Sequence, residues 1–143
     1  MTIDQISVFV ENRPGRLAEV TEILSDAGID LRAMSIADTA DFGILRLIVD
    51  DPKRALDCLR AAACVVSVTQ VLAAPIADEP GSLSRVLRLL ADGGVNIEYL
   101  YAFITRQKHG AYVILRVEDN ARAADILTEH GVRIAGSSEI FTL

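Results

Sequence analysis

The chain is poor in the residues that build several common kinds of functional site. It has no tryptophan, two cysteines, two histidines and 5% aromatic residues. Cys58 and Cys64 are too few for a disulfide scaffold, and their spacing does not fit a CxxC metal or redox motif. No apolar run approaches the ~18 residues of a membrane span, and the first residues lack the basic segment of a secretory signal. We expect a cytoplasmic protein.

Positive charge is also scarce. The chain has fourteen lysine and arginine residues and twenty acidic residues, which gives a formal net charge of −6. Binding to a nucleic-acid backbone or to an anionic lipid surface depends on positive charge, so we expect neither nucleic-acid nor membrane partners. Hydrophobic residues make up 51% of the chain, which is enough for a packed core.

No pattern typical of a catalytic site is present. The sequence has no Ser–His–acid spacing, nucleophile elbow or phosphate-binding loop. His130 is predicted at a helix end and His109 in an exposed turn, and both cysteines fall on apolar faces. We therefore predict no enzyme activity, no cofactor and no metal. The alternative, an acylphosphatase-like hydrolase, has Arg13 as its one hint, and the chain has Glu79 at the matching later position.

An internal repeat organises the sequence. Residues 12–31 align with residues 78–97, and nearby positions match in kind. The six identical pairs are Pro14/Pro80, Gly15/Gly81, Leu17/Leu83, Val20/Val86, Leu24/Leu90 and Gly28/Gly94. A duplication of this kind predicts two similar domains, which we place at 1–71 and 72–143.

Each copy has the periodicity of alternating strands and amphipathic helices. In the first copy we predict a strand through Val10, a helix after the Pro-Gly turn, strands over 29–38 and 42–50, a helix over 52–63 and a strand over 64–71. In the second we predict strands over 72–77, 95–105, 111–118 and 134–143, with helices over 81–92 and 120–130. The order βαββαβ, twice, predicts an α+β fold of two ferredoxin-like domains.

Two features of the predicted sheets are unusual. Pro75 falls inside a strand, where proline removes a hydrogen-bond donor, so we expect a break or bulge there. The sheet faces turned away from the helices are half apolar, which favours contact with a second chain. The residues predicted on these faces are Ile44, Arg46, Ile48, Tyr112, Ile114 and Arg116.

The two strand-to-helix turns are the best candidates for a binding site. Asn12-Arg-Pro-Gly15 and Asp78-Glu-Pro-Gly81 each place a polar side chain just before a helix. One interpretation is that these side chains cap the helices. The other interpretation is that the first backbone amides of the helix stay unpaired and, with the helix dipole, form a binding site for a carboxylate.

A second polar residue, Asp30 or Asn96, opens the strand that follows each helix. The combination of Asn12-x-Pro-Gly-x-Leu17 with Gly28-Ile-Asp-Leu31, repeated as Asp78-x-Pro-Gly-x-Leu83 with Gly94-Val-Asn-Ile97, resembles the ACT domain. The resemblance covers essentially the whole chain as two tandem copies. The first turn is similar to the serine-sensing domain of phosphoglycerate dehydrogenase, and the second to the regulatory subunit of acetolactate synthase.

The resemblance implies two domains side by side in an eight-stranded antiparallel sheet, with four helices on one face and small amino acids bound at the junction. One implied site joins Asn12, Pro14, Gly15, Arg16 and Leu17 to Asn96, and the other joins Asp78, Pro80, Gly81, Ser82 and Leu83 to Asp30. The first site has Asn12 and Asn96, whereas the second has the carboxylates of Asp78 and Asp30. Because two carboxylates repel a ligand carboxylate, we expect the two sites to differ in affinity or ligand.

The resulting prediction is a non-catalytic regulatory protein that senses a free amino acid with a branched, aromatic or histidine side chain. We expect a homodimer. The alternative is a regulatory subunit whose main task is to bind a catalytic enzyme of amino-acid metabolism, with amino-acid binding weak or lost.

Overall fold

The computed structural model describes residues 1–38, 40–105 and 110–142, so His109 lies outside the described residues. The chain divides into two compact units. Asp4–Thr69 forms the N-terminal unit, and Gln70–Leu143 together with Met1–Ile3 forms the C-terminal unit. Each unit is described by itself.

The N-terminal unit follows the predicted order of strands and helices. Its elements are β1 (Ile3–Glu11), α1 (Arg16–Asp26), β2 (Leu31–Asp38), β3 (Phe42–Val49), α2 (Pro52–Ala61) and the first part of β4 (Val65–Ala77). The strand order is β2-β3-β1-β4. Asp51 caps α2 by accepting the N–H of Arg54, and Pro52 starts the helix where no donor is needed.

Alternation along β1 and β3 sends one side of the sheet into the core. Ile6 pairs with Leu47 and Val8 with Leu45 in antiparallel register, so these apolar side chains share the face that packs on α1 and α2. Leu24 of α1 is fully buried against them. The core thus holds the start of α1 at a fixed place beside the end of β1.

The C-terminal unit repeats much of this plan. After β4 come α3 (Ser82–Asp92), β5 (Ile97–Ile104), β6 (Gly110–Val117), α4 (Asn120–Glu129) and α5 (Ser137–Phe141). The strand order is β4-β6-β5. Val113, Leu115 and Val117 of β6 join Leu90 of α3 and Leu127 of α4 in the core.

The prediction of eight strands is wrong, because the described residues form six. The two strands predicted over 64–71 and 72–77 are one thirteen-residue strand, β4. Its sequence Val-Val-Ser-Val-Thr-Gln-Val-Leu is rich in β-branched residues and has no turn residue at the junction, so the chain stays extended.

The last strand, predicted over 134–143, is also wrong. Only the start of that segment is held like a strand, where the Ala135 N–H donates to the Ala73 carbonyl at 2.8 Å. The segment then turns into α5, whose Ile140 is fully buried. Glu139 fixes this helix by accepting two hydrogen bonds from Arg133, at 2.6 and 2.7 Å, and one from the Tyr112 hydroxyl at 3.1 Å.

The contact with Tyr112 also changes the predicted layering. Tyr112 alternates with the core residue Val113 along β6, so it lies on the face opposite α3 and α4. Therefore α5 contacts that opposite face, and the helices do not all share one side. Tyr112 and Ile114 were both expected to face outward, and both are buried. The burial of Tyr112 follows in part from this cover.

Pro75 causes no break, which corrects the prediction of a bulge. The β4–β6 register runs without a shift from the Leu72–Leu115 pair to the Ala77–Gly110 pair. The Ala73 carbonyl bonds Ala135 rather than β6. Because backbone direction alternates along a strand, Pro75 shares the orientation of Ala73, and its missing N–H removes no bond to β6.

Candidate functional site

The first turn is built by a glycine that no other residue replaces easily. Chain direction changes after β1 at Gly15, which has φ +84° and lies directly before α1. This left-handed conformation is favourable for glycine because it has no Cβ. Nothing lies within 4 Å of a Cβ built at Gly15, so the turn is open to solvent on that side.

The amides at the start of α1 are uncapped. Neither Asn12 nor another side chain bonds the helix start, which makes the capping interpretation wrong. The N–H groups of Leu17 and Ala18 have no protein acceptor among the described residues. Instead, the Asn12 backbone N–H donates to the Asp41 backbone carbonyl at 2.9 Å, and its side-chain amide donates to the Ala40 carbonyl at 3.4 Å.

A cluster of charged side chains lies beside this turn. Arg16 donates to Glu19 at 3.1 Å, lies 3.6 Å from the Glu11 carboxylate, and reaches the sulfur of buried Cys64 at 3.8 Å. Arg13 adds bonds to Glu11 at 3.1 Å and to Glu19 at 3.5 Å. The hydrogen bond with Arg16 lowers the pKa of Glu19, and the same bond raises the pKa of Arg16.

The second turn has the same backbone and different side chains. Gly81 precedes α3 with φ +92°, and Asp78 makes no capping bond, so capping is wrong here too. The Ser82 N–H donates to the Glu79 carbonyl at 3.3 Å, as the Arg16 N–H donates to Arg13 in the first turn. The N–H groups of Leu83 and Ser84 have no protein acceptor within the described part of the chain.

The two strand-opening residues occupy equivalent places. Asp30 lies directly before β2 and Asn96 directly before β5, and each strand has a register shift just after it. The Asp30 carboxylate pairs with Arg32 at 2.5 Å and its N–H donates to Asp50. Asn96 is exposed, and its side chain bonds no other described residue.

The twelve predicted site residues therefore fall into four groups, a turn with the first helical residues and a strand opening in each unit. Within the N-terminal unit these are Asn12, Pro14, Gly15, Arg16, Leu17 and Asp30. Within the C-terminal unit they are Asp78, Pro80, Gly81, Ser82, Leu83 and Asn96. The pairing of Asn12 with Asn96, and of Asp78 with Asp30, stays a prediction.

Sequence reasoning missed the residues that set the charge of the two turns. Glu19 and Arg85 each lie three residues after the residue that starts their helix, so the i,i+3 spacing of Arg16 and Glu19 was the available signal for a pair. The role of Cys64 had no comparable signal, because its contact with Arg16 spans 48 positions.

Within the described residues, no group of three or more His, Cys, Asp or Glu side chains is placed to hold a metal ion. None of the helices in the same residues has the length and apolar character needed to cross a bilayer.

Comparison with known proteins identifies the fold. The chain matches the model of the ACT domain pair over residues 1–143. A crystal structure of protein BT0572 from Bacteroides thetaiotaomicron is 39% identical, with a TM-score of 0.94 over 100% of this chain and 98% of that one. The regulatory subunit of aspartate kinase from Thermus thermophilus is 18% identical, with a TM-score of 0.65 over 90% of this chain and 92% of its own.

The regulatory subunit of aspartate kinase from Thermus flavus is also similar, at 18% identity and a TM-score of 0.62, over 88% of this chain and 90% of that one. At that identity the likeness concerns the fold. A search of curated proteins found no match. The family model covers every residue, and both copies of the turn motif have the geometry described above. The chain belongs to the ACT domain pair family.

Proposed function

We propose that this ACT domain pair is a non-catalytic regulatory protein that binds a free amino acid at the first turn. The observation that carries the proposal is the uncapped start of α1, where the amides of Leu17 and Ala18 lack a protein acceptor beside the exposed Asn12 side chain. Free amides at a helix start favour a carboxylate. The side-chain carbonyl oxygen of Asn12, Oδ1, is an acceptor for the ammonium group of the ligand.

Asn96 is the proposed second polar contact of that ligand. Its amide is exposed and bonds no other described side chain, so it is available to a ligand without breaking an internal hydrogen bond. Leu17, 41% exposed beside the free amides, favours a ligand with an apolar side chain. Branched-chain and aromatic amino acids and histidine remain the proposed class.

The site at the second turn is proposed to bind more weakly or to take another ligand. Asp78 replaces Asn12 there, and its carboxylate opposes the carboxylate of an amino acid. The proposed partner Asp30 is already paired with Arg32, so engaging a ligand ammonium would compete with an existing ion pair.

A second candidate function, binding of a partner protein, is favoured by a separate observation. Phe9 and Phe42 are 45% and 43% exposed in the N-terminal unit, with ring centroids 5.0 Å apart. They lie on the face opposite the helices, next to the half-buried Ile44, as the register with β1 requires. Paired exposed aromatic rings are typical of interaction surfaces. A second copy or a catalytic enzyme is the proposed partner.

A thermal-shift screen of the twenty amino acids tests the proposal. Ligand at 100-fold excess over its Kd stabilises the folded state by ~2.7 kcal/mol. We expect a shift with a few related amino acids, its loss in Asn12→Ala, and a reduced shift in Asn96→Ala. Asp57→Ala, an exposed change on α2, is the control and should respond as the wild type does.

The outcomes separate the alternatives. A shift that survives Asn12→Ala contradicts the site at the first turn. If Asn12→Ala abolishes the shift and Asn96→Ala leaves it intact, the turn binds the ligand and the proposed pairing is wrong. No shift with any amino acid, together with co-purification of one enzyme that Phe9→Ser releases, favours the partner-binding function.

A further inference from the structure

One stretch of β4, in the N-terminal unit, has a neighbouring strand on one side only. The sheet order places β4 between β1 and β6, but the ladder with β6 begins at Leu72. On the β6 side, residues 65–69 therefore have no strand partner among the described residues, and we call this side the open edge of β4. Two of its side chains are well exposed, 71% for Val65 and 41% for Val68.

The alternation of the backbone shows which residues face the open edge. Ala73 points away from β6, as described above, whereas Gln70 points toward it, because its carbonyl accepts from the side chain of Asn120, which follows β6. Backbone direction alternates along a strand, so the N–H and C=O groups of Val66 and Val68 have the orientation of Gln70. No hydrogen bond of these groups on that side occurs among the described residues.

The open edge lacks the features that normally keep sheet edges from pairing, which are charged residues, proline and bulges. The outer strands β2 and β5 have such features, since Arg32 and Glu98 each lie at a register shift. Residues 64–71, Cys-Val-Val-Ser-Val-Thr-Gln-Val, contain no charged residue, proline or glycine and are rich in β-branched residues. The outer strands are thus protected and the open edge is not, which favours pairing with a further strand.

We infer that the open edge of β4 binds an extended segment of a partner protein as an additional β-strand. The backbone groups of Val66 and Val68 exchange hydrogen bonds with that segment, and such main-chain pairing supplies affinity. Val66 and Val68 share the face that packs on the helices, whereas Val65 and Ser67 lie on the opposite face. Because neither face of the edge carries a charge, the partner segment is uncharged and rich in β-branched residues.

The length of the partner segment follows from where the open edge ends. It ends at Gln70, whose carbonyl already bonds Asn120, and at the other end β4 begins after the exposed turn at Ala63. About five extended residues therefore fit. A second copy of β4 fits less well, because antiparallel pairing about Ser67 places its Cys64 opposite Gln70, where Asn120 is already bound.

An NMR titration of the full-length chain with the peptide acetyl-Lys-Thr-Val-Thr-Val-Thr-Lys-amide tests the inference. We expect saturable shifts of the Val66 and Val68 amides and slower exchange of both with solvent. Val68→Pro removes one N–H of the open edge and should weaken binding about tenfold, because a hydrogen bond is lost and the ring blocks close approach. Val68→Thr, which keeps the N–H and a β-branched side chain, is the matched control and should bind as the wild type does.

Two N-methylated forms of the peptide test the hydrogen bonding without any change to the protein. Methylation of both valine nitrogens leaves one edge of the peptide with all its N–H groups, so binding should be kept. Methylation of the central threonine and one neighbouring valine blocks both edges and should weaken binding at least about tenfold. The two forms have the same side chains and the same number of methyl groups, so a difference between them reports the backbone pairing.

Four results would overturn the inference. The first is the absence of a saturable shift at Val66 and Val68 at the highest soluble peptide concentration. The second is equal binding by Val68→Pro and Val68→Thr, and the third is equal binding of the two methylated peptides. The fourth is a dimer of the chain alone, seen by analytical ultracentrifugation, that Val68→Pro dissociates, because a second copy then occupies the edge. A failed amino-acid screen leaves all four measurements unaffected, since the open edge contains no residue of either turn.

Discussion

The two strand-to-helix turns have one backbone and opposite charge arrangements. Gly15 and Gly81 have φ values of +84° and +92° and precede helices of eleven residues each. Beside the first, Arg16 is enclosed by Glu11, Glu19 and Cys64; beside the second, Ser82 opens onto a cleft. The fold therefore depends on glycines and apolar positions that the two copies share, whereas the surroundings of each turn depend on a few charged residues that differ between them.

The strand openings differ in the same way. Asp30 is held by Arg32, while the Asn96 side chain bonds no other described residue and the following acidic residue, Glu98, pairs with Arg116 at 3.0 Å. An unpaired amide costs little to engage with a ligand, whereas a paired carboxylate must first lose its partner. These residues therefore give the two strand openings different hydrogen bonds and ion pairs.

The largest expected effect tests whether the cores are alike. Leu24 and Leu90 occupy equivalent helix positions and are both fully buried. Leu24→Ala and Leu90→Ala should each lower the free energy of unfolding by ~2–5 kcal/mol, from lost burial and the remaining cavity. Urea unfolding of both variants measures this. The cost of Leu→Ala depends on how far the surrounding side chains collapse into the cavity. Losses that differ by more than ~2 kcal/mol between the two variants would therefore show that the two cores are packed differently.

A smaller effect concerns the segment in which the copies differ most, α5 against the end of the first repeat. The hydrogen bonds from Arg133 hold the pKa of Glu139 below its usual range. A lowered folded-state pKa means that the unfolded chain binds the proton more readily, so this stabilisation is present above the ordinary glutamate pKa and is lost as pH falls through the lower folded value.

Unfolding followed from pH 7 down to ~3 should therefore show an acid-dependent loss of stability that Glu139→Gln reduces. Glu129→Gln, an exposed change with no ion pair among the described residues, is the control. An identical acid limb in the wild type and in Glu139→Gln would show that Glu139 does not anchor α5.

Sequence reasoning predicted the parts of the fold that repeat locally. The Pro-Gly turns, the periodic leucines of α1 and α3 and the strand alternation of β1 were sufficient, because each reflects short-range geometry. The end of the chain was not predictable in this way. Its apolar residues suit a strand, and the choice of α5 depends on Arg133, Glu139 and Tyr112 meeting across 27 positions.

The candidate site shows the same division. The turns and the strand-opening Asp30 and Asn96 were found from spacing. The contact of Arg16 with Cys64 and the cleft beside Ser82 were not found from spacing. Each depends on a segment distant in sequence, which follows α2 in the first case and α4 in the second. A short motif locates the backbone of a site, but the contacts that fill or open it come from distant parts of the sequence.

The smallest expected effect concerns a backbone position that the copies fill differently. Ala63 follows α2 with φ +61°, and Gly131 follows α4 with φ +79°. The next residue closes the helix end in both cases, by a bond from Cys64 to Leu59 and from Val132 to Leu127. This left-handed position costs a residue with a Cβ ~1–2 kcal/mol, against ~0.5–1 kcal/mol of extra chain entropy for glycine.

Ala63→Gly should therefore stabilise the chain by ~0.5 kcal/mol, and Gly131→Ala should destabilise it by a similar amount, since nothing lies within 4 Å of a Cβ built at Gly131. Urea midpoints of the two variants, with the double variant as a check on additivity, measure this. If Ala63→Gly destabilises instead, the Ala63 methyl group makes a contact that outweighs its backbone strain. The C-terminal ends of α2 and α4 would then have equivalent hydrogen bonds and different side-chain packing. The two copies would differ there as they already differ at the two strand-to-helix turns.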